Sequence, residues 1–170
     1  MTKEKFIKSY YSDALKCQQQ TGISAIATLM QAAWESAWGA AAPGNMFFGQ
    51  KDTDGLNGNE QLLQTTEVFT RPDVKLKQKI ISITPFVLDG KKFFRYRIWD
   101  YFRKYDTPAE CFIDHCNFLL RNPRYAEAVK YRADPEMFIK LVAKAGYATE
   151  PRYAEKLLSI LPTIKKYIPR

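Results

Sequence analysis

Gln31-Ala-Ala-Trp-Glu-Ser-Ala-Trp-Gly39 closes a helical pattern and places a carboxylic acid among indoles. Upstream, Ile26, Met30, Ala33 and Ala37 recur at helical spacing and form a stripe that must be buried. Ser24 stands where an N-cap belongs and Gly39 where a helix ends, so the sequence predicts a helix from Ala25 to about Trp38. Glu35 lies near its C-terminal end, flanked by Ala33, Trp34, Ser36 and Trp38, with no basic residue within several positions. Apolar surroundings and the negative end of a helix dipole both disfavour the anion, so its pKa should rise. That is what a general acid working near neutral pH requires. A lone glutamate on a helix is ordinarily a solvated side chain; the tryptophans and the glycine-containing loop that follows weigh against that here.

Before this helix, Phe6, Ile7, Tyr10 and Leu15 among Lys and Gln predict an amphipathic first helix ending before Gly22. After it, Ala40 to about Asn59 is rich in Gly, Ala, Asn and Asp and reads as loop. Between Gln61 and Tyr105 the character changes. Thr65 to Phe69 and Ile80 to Val87 favour strand, and Asp89-Gly90 is a hairpin turn leading into Phe93 to Trp99. Helices then resume. Thr107-Pro108-Ala109-Glu110 is a capping box, Asn122-Pro123 and Asp134-Pro135 each start a helix, and Gly146 ends the second. Thr149 opens a last helix whose C-terminal end Pro162 should bend or fray. The expected fold class is mainly α (α+β), a helical core over about 1–60 and 106–170 with a small antiparallel β-lobe over about 61–105. A groove between the lobes is the natural ligand site.

A chain of 170 residues can bury roughly 70% of its unfolded surface, enough to fold without staples. The three cysteines, Cys17, Cys111 and Cys116, are odd in number and show no C-x-x-C spacing, so they read as small core residues. With His115 the only histidine there is no zinc set, and it reads as a structural or surface residue. The net charge of +8 is scattered rather than clustered, which attracts polyanions without choosing between nucleic acid and an anionic cell wall. No helix-turn-helix, RNA-binding aromatic motif or arginine cluster argues for nucleic acid. The N-terminus runs straight into a helix with no signal peptide, and no apolar stretch is long enough to span a bilayer. The aromatic share of 14% fits a Phe/Tyr-rich core and, equally, platforms for flat sugar faces.

Glu67, on a strand of the β-lobe, is the second carboxylate. Inverting glycosidases need one roughly 6.5–9.5 Å from the acid to activate water. Asp52, Asp54, Glu60 and Asp73 compete with it on physical grounds.

Five blocks in order carry a family resemblance: Gln31 to Gly39 followed by Asn45-Met-Phe-Phe-Gly-Gln-Lys51, then Thr65-Thr-Glu67, Phe102-Arg-Lys-Tyr105, Asn122-Pro-Arg-Tyr125 and Gly146-Tyr-Ala-Thr-Glu-Pro-Arg-Tyr153. Together they resemble the glucosaminidase family of peptidoglycan hydrolases, glycoside hydrolase family seventy-three, over roughly Phe6 to Ile164. The resemblance implies a lysozyme-like helical core, Glu35 as general acid and Glu67 as the second acidic residue. It further implies Tyr147 as the residue positioning the substrate's acetamido group. It puts Asn45, Phe47, Phe48 and Gly49 beside the sugar, with Trp38 and Tyr125 completing the candidate substrate-binding set. For Tyr125, as for Tyr153, a packing tyrosine with a satisfied hydroxyl is the plainer reading. Arg71 to Arg97 departs from the family by being longer and more strand-like, which implies an enlarged β-lobe. The implied activity is an endo-β-N-acetylglucosaminidase acting on peptidoglycan strands at the cell wall, as a monomer and without metal or organic cofactor. The nearest rival, a lytic transglycosylase, usually follows its Glu-Ser with a Gly-Leu-Met-Gln stretch, which is absent here.

Overall fold

In a computed structural model, which describes residues 1–53, 58–148 and 152–169, the chain divides into two compact units, residues 1–49 with 104–170, and residues 50–103. The first unit is helical. Helix α1, Lys3–Thr21, starts behind Thr2, whose hydroxyl accepts from Lys5 N at 3.2 Å, and stops at left-handed Gly22. Helix α2, Ala25–Glu35, ends three residues earlier than its apolar spacing predicts. Ser24 makes no side-chain cap either; Gln18 Oε1 takes the Ala25 N–H instead, at 2.7 Å.

The early stop is caused by Ser36. Its buried hydroxyl donates to Ala32 O at 2.6 Å and accepts from Gly39 N at 2.8 Å. Ala37 and Trp38 then adopt left-handed φ of 49° and 58°. At Gly39, with φ of 79°, a side chain would meet the Phe6 ring at 3.3 Å, so only glycine suits both the turn and the packing. The consequence is that Glu35 is the last helical residue rather than an interior one.

A short 3₁₀ turn at Pro43–Asn45 interrupts the expected loop. Helix α3, Pro108–Arg121, begins with the predicted capping box, Glu110 N to Thr107 Oγ1 and Thr107 N to Glu110 Oε2, both 3.3 Å. Asn122-Pro123 opens a 3₁₀ turn, Pro123–Tyr125, and then α4, Ala126–Lys130; Asp134 caps α5, Pro135–Lys144, beyond which Gly146 is left-handed. Helix α6, Tyr153–Tyr167, runs through Pro162 for five more residues, with Ile164 buried beyond it. The predicted start at Thr149 lies outside the described residues, as does Asp54. Phe6, Ile7, Phe47, Phe112, Leu119, Phe138 and Ile139 form the centre of the core, each no more than 2% exposed. All three cysteines are buried free thiols, and His115 is a core residue.

The second unit is a three-stranded antiparallel sheet in the order β1-β3-β2, with β1 Glu60–Phe69, β2 Lys79–Leu88 and β3 Lys91–Arg103. Asp89 and Gly90, at φ of 49° and 73°, make the predicted turn between β2 and β3. Pro85 is tolerated because β2 is an edge strand. On one face Tyr96 and Ile98 are buried, and the Tyr96 hydroxyl accepts from Val74 N and donates to Arg71 O. No helix among the described residues is long and apolar enough to cross a membrane.

Candidate active site

Because α2 ends at Glu35, its carboxyl projects from the helix terminus into a cavity of about 660 Å³ lined by Trp34, Phe48, Gly49, Tyr147, Ala148 and Tyr153. Two phenols hold it: the Tyr153 hydroxyl donates to Oε1 at 3.0 Å and the Tyr147 hydroxyl to Oε2 at 3.1 Å. Burial pushes the Glu35 pKa up to about 7, against the opposing pull of the Tyr153 and Tyr147 hydrogen bonds, which favour the anion. Its place at a helix C-terminus acts in the same direction as burial. Burial, with the Glu35 charge adding to it, also holds the Tyr147 phenol well above its ordinary pKa, so that hydroxyl remains a donor.

Behind this pair runs a chain of hydrogen bonds. Gln31, one helical turn before Glu35, donates through Nε2 to the Tyr153 hydroxyl at 3.2 Å, and its Oε1 lies 3.2 Å from His115 Nε2. His115 is fully enclosed, and burial drives its pKa down to about 3, so it is neutral. With the Gln31 amide nitrogen engaged as donor, its oxygen must accept, which puts the imidazole proton on Nε2. Three residues, His115 of α3, Gln31 of α2 and Tyr153 of α6, therefore hand donors in one direction, ending on the carboxyl of Glu35.

The other sequence-derived candidates separate. Phe48 and Gly49 line the cavity, and the Phe48 ring stacks on His115 at 3.7 Å. Four of the expected substrate residues have partners within the protein. Asn45 clamps the chain by donating to Tyr105 O and Asp106 O at 2.9 and 3.1 Å. Phe47 is a core residue packed on Phe6, Tyr10 and Phe112. Trp38, carried off by the turn at Ser36, packs on Phe6 at 5.5 Å with Lys3 over its ring. Tyr125 is buried and supports the Tyr147 ring at 6.2 Å. Tyr153 is the reverse case: expected as packing, it holds the acid. Gln31 and His115 escaped the sequence reading, since their roles depend on partners 84 and 122 residues away in the chain.

Glu67 belongs to the second unit, opposite Tyr96 on β1. It is half-buried and paired at 3.0 Å with Lys51, which also contacts Asp100. Partial burial opposes the Lys51 cation, but hydrogen bonds and charges from Asp100 and Glu67 raise its pKa on balance. No cluster of three or more His, Cys, Asp or Glu able to hold a metal occurs among the described residues.

The family model described as mannosyl-glycoprotein endo-beta-N-acetylglucosaminidase, Glucosaminidase, matches residues 11–166. The peptidoglycan hydrolase FlgJ of Vibrio parahaemolyticus is 30% identical over 168 residues, covering 95% of this chain and 47% of that protein. The chain thus spans about half the length of the curated relatives it matches. Among solved structures, a C-terminally truncated glycoside hydrolase domain from Salmonella typhimurium FlgJ superposes with a TM-score of 0.71 at 29% identity, over 97% of this chain and 99% of that one. The catalytic domain of the Listeria monocytogenes autolysin Auto shares the fold, with a TM-score of 0.71 at 24% identity over 98% and 87% of the two chains.

Proposed function

The chain belongs to the glucosaminidase family of glycoside hydrolases, with its lysozyme-like helical core and small antiparallel sheet, and on that premise we propose that it hydrolyses peptidoglycan strands. The bond cut is the β-1,4 linkage between N-acetylglucosamine and N-acetylmuramic acid. The observation that carries the proposal is the Glu35 carboxyl, enclosed in a ligand-sized cavity with a pKa about 7.

Glu35 delivers its proton to the leaving oxygen as positive charge grows on the sugar ring. The Gln31 amide fixes Tyr153 as donor to Oε1. The Tyr147 hydroxyl carries no such lock, so Oε2 is the oxygen that can bear the proton and face the cavity. When the carboxylate forms, both phenols are already placed to stabilise it.

Water then arrives by one of two routes. Glu67 acts as base for direct attack, or the substrate's acetamido oxygen attacks first, oriented by Tyr147. The Lys51 ion pair favours the second, because an oxygen of the Glu67 carboxylate is already engaged by an ammonium group. The work of such an enzyme lies at the cell wall.

Reducing-end analysis of digested peptidoglycan tests the proposal. New N-acetylglucosamine reducing ends with hydrated termini are expected. Muramic reducing ends, or 1,6-anhydro termini, would assign a different bond or a transglycosylase reaction.

A further inference from the structure

The second unit contains a cavity of about 560 Å³, lined by its own residues, that the acid chemistry does not use. The register pairs Lys79 with Trp99 and Leu62 with Tyr101, so these four side chains share one face of the sheet. Trp99 is half-buried, while Tyr101 is 52% exposed and Leu62 47%. Large apolar side chains grouped and left open on a sheet face form an unfilled contact surface. Lys77 reaches the same cavity from the segment before β2.

Charge on this sheet is segregated by face. Strand alternation puts Glu67 and Asp100 on the side of Tyr96, where Lys51 engages both and Gln78 also donates to Asp100. The Asp100 carboxylate is thus turned from the Trp99 and Tyr101 platform and already committed. On the platform side β1 from Leu62 to Val68 and β3 from Phe93 to Tyr101 carry no carboxylate, and Arg95 and Arg97 add to the positive sign. Lys77 and Lys79 are exposed and form no ion pair or hydrogen bond among the described residues. An apolar, largely aromatic floor beside two available ammonium groups fits a ligand that sets small apolar groups between carboxylates.

Peptidoglycan has such a component. The muramic carboxyl is consumed in the amide that attaches the peptide stem, so the free carboxylates of the polymer are those of the stem, set among alanyl methyl groups. Resting on the peptidoglycan reading, we propose that this cavity binds the peptide stem of the strand. Stem carboxylates meet Lys77 and Lys79, and alanyl methyl groups pack on Trp99, Tyr101 and Leu62. The site adds affinity for stem-bearing wall and takes no part in bond cleavage.

Sedimentation of the full chain with insoluble peptidoglycan, freed of phosphate polymers, tests this in a Glu35→Gln background so that nothing is cut. Both the pair Lys77→Gln with Lys79→Gln and the single change Tyr101→Ala should raise the Kd roughly tenfold. The pair Lys91→Gln with Lys92→Gln, an equal loss of charge at the exposed β2–β3 turn, should leave it unchanged. Converting the stem carboxylates to primary amides should weaken binding of the parent chain to the level of the Lys77 and Lys79 variant. That variant should lose nothing further, because both changes remove the same contact. The lysine changes are on exposed side chains, so they remain informative if Tyr101→Ala unfolds. Unchanged retention of the Lys77 and Lys79 variant, or an equal loss from the Lys91 and Lys92 changes, overturns the site. A lysine effect that survives amidation overturns the stem as its ligand. A wild-type chain that releases no reducing ends while these binding differences hold would sink the hydrolase reading instead.

Discussion

The Glu35 carboxyl is held by two phenols in a cavity and pushed up to a pKa of about 7 by burial, whereas Glu67 lies half-buried on a strand beside the Lys51 ammonium. One chemical group is thus placed in two solvents. In the first the neutral form is favoured, so a proton is available at neutral pH; in the second the carboxylate is engaged in an ion pair open to solvent. The difference teaches that the two glutamates are not an interchangeable pair, and that the burden of chemistry falls on the helical unit.

The sharpest way to break this contrast is Glu35→Gln, which removes the proton but keeps the shape. Hydrolysis of purified cell walls should fall about 10²–10⁴-fold, the usual worth of a general acid, with the circular dichroism spectrum intact. Near wild-type turnover would end the assignment. The same carboxyl sets a pH signature. Activity should decline above a pKa of about 7, because the acid must be protonated to act. Stability follows with a definite sign. The folded pKa lies above the unfolded value of 4.5, so the stabilisation is whole below pH 4.5 and is lost as pH rises to about 7. A shift of that size is worth about 3 kcal/mol. Thermal midpoints measured across this window should fall for wild type and stay flat for Glu35→Gln.

Tyr147→Phe and Tyr153→Phe sharpen the contrast from the other side. Each removes a donor that favours the anion, so the alkaline limb of the activity profile should move up by about one pH unit and turnover should drop roughly tenfold. If the limb moves down, the phenols are not donating to the carboxylate. For Glu67→Gln, a base in direct attack costs about 10²-fold or more, whereas the acetamido route predicts a loss below about tenfold. The Lys51 pairing makes the smaller loss the expected one.

Much of this arrangement was legible in local sequence. Helix periodicity, the Thr107 capping box, the Asp89-Gly90 turn and the apolar flanks of Glu35 are properties of neighbouring residues. The end of α2 was misplaced because a buried Ser36 hydroxyl outcompetes the apolar stripe that continues to Ala37. For Asn45 and Phe47 the resemblance names a loop beside the sugar, and only tertiary packing says which of its side chains turn inward. Tyr153 was underrated and Gln31 missed for one reason: a phenol or amide earns its role from a partner brought up by tertiary packing, and no spacing rule encodes it.

The finest test of the comparison is Gln31→Leu, which leaves Glu35 and both tyrosines in place. Without the Nε2 donor, the Tyr153 hydroxyl is no longer committed to Glu35 Oε1 and can turn toward other acceptors. His115 Nε2 simultaneously loses its acceptor inside the core. The expected result is a loss of turnover of about two- to fivefold with KM unchanged, and an alkaline limb shifted up by a few tenths of a pH unit, less than Tyr153→Phe produces. Gln31→Leu combined with Tyr153→Phe should then cost little more than Tyr153→Phe alone, because the amide acts on the acid only through that phenol. Full additivity of the two changes would show that Gln31 merely packs, and that the burial of Glu35 by itself sets its acidity.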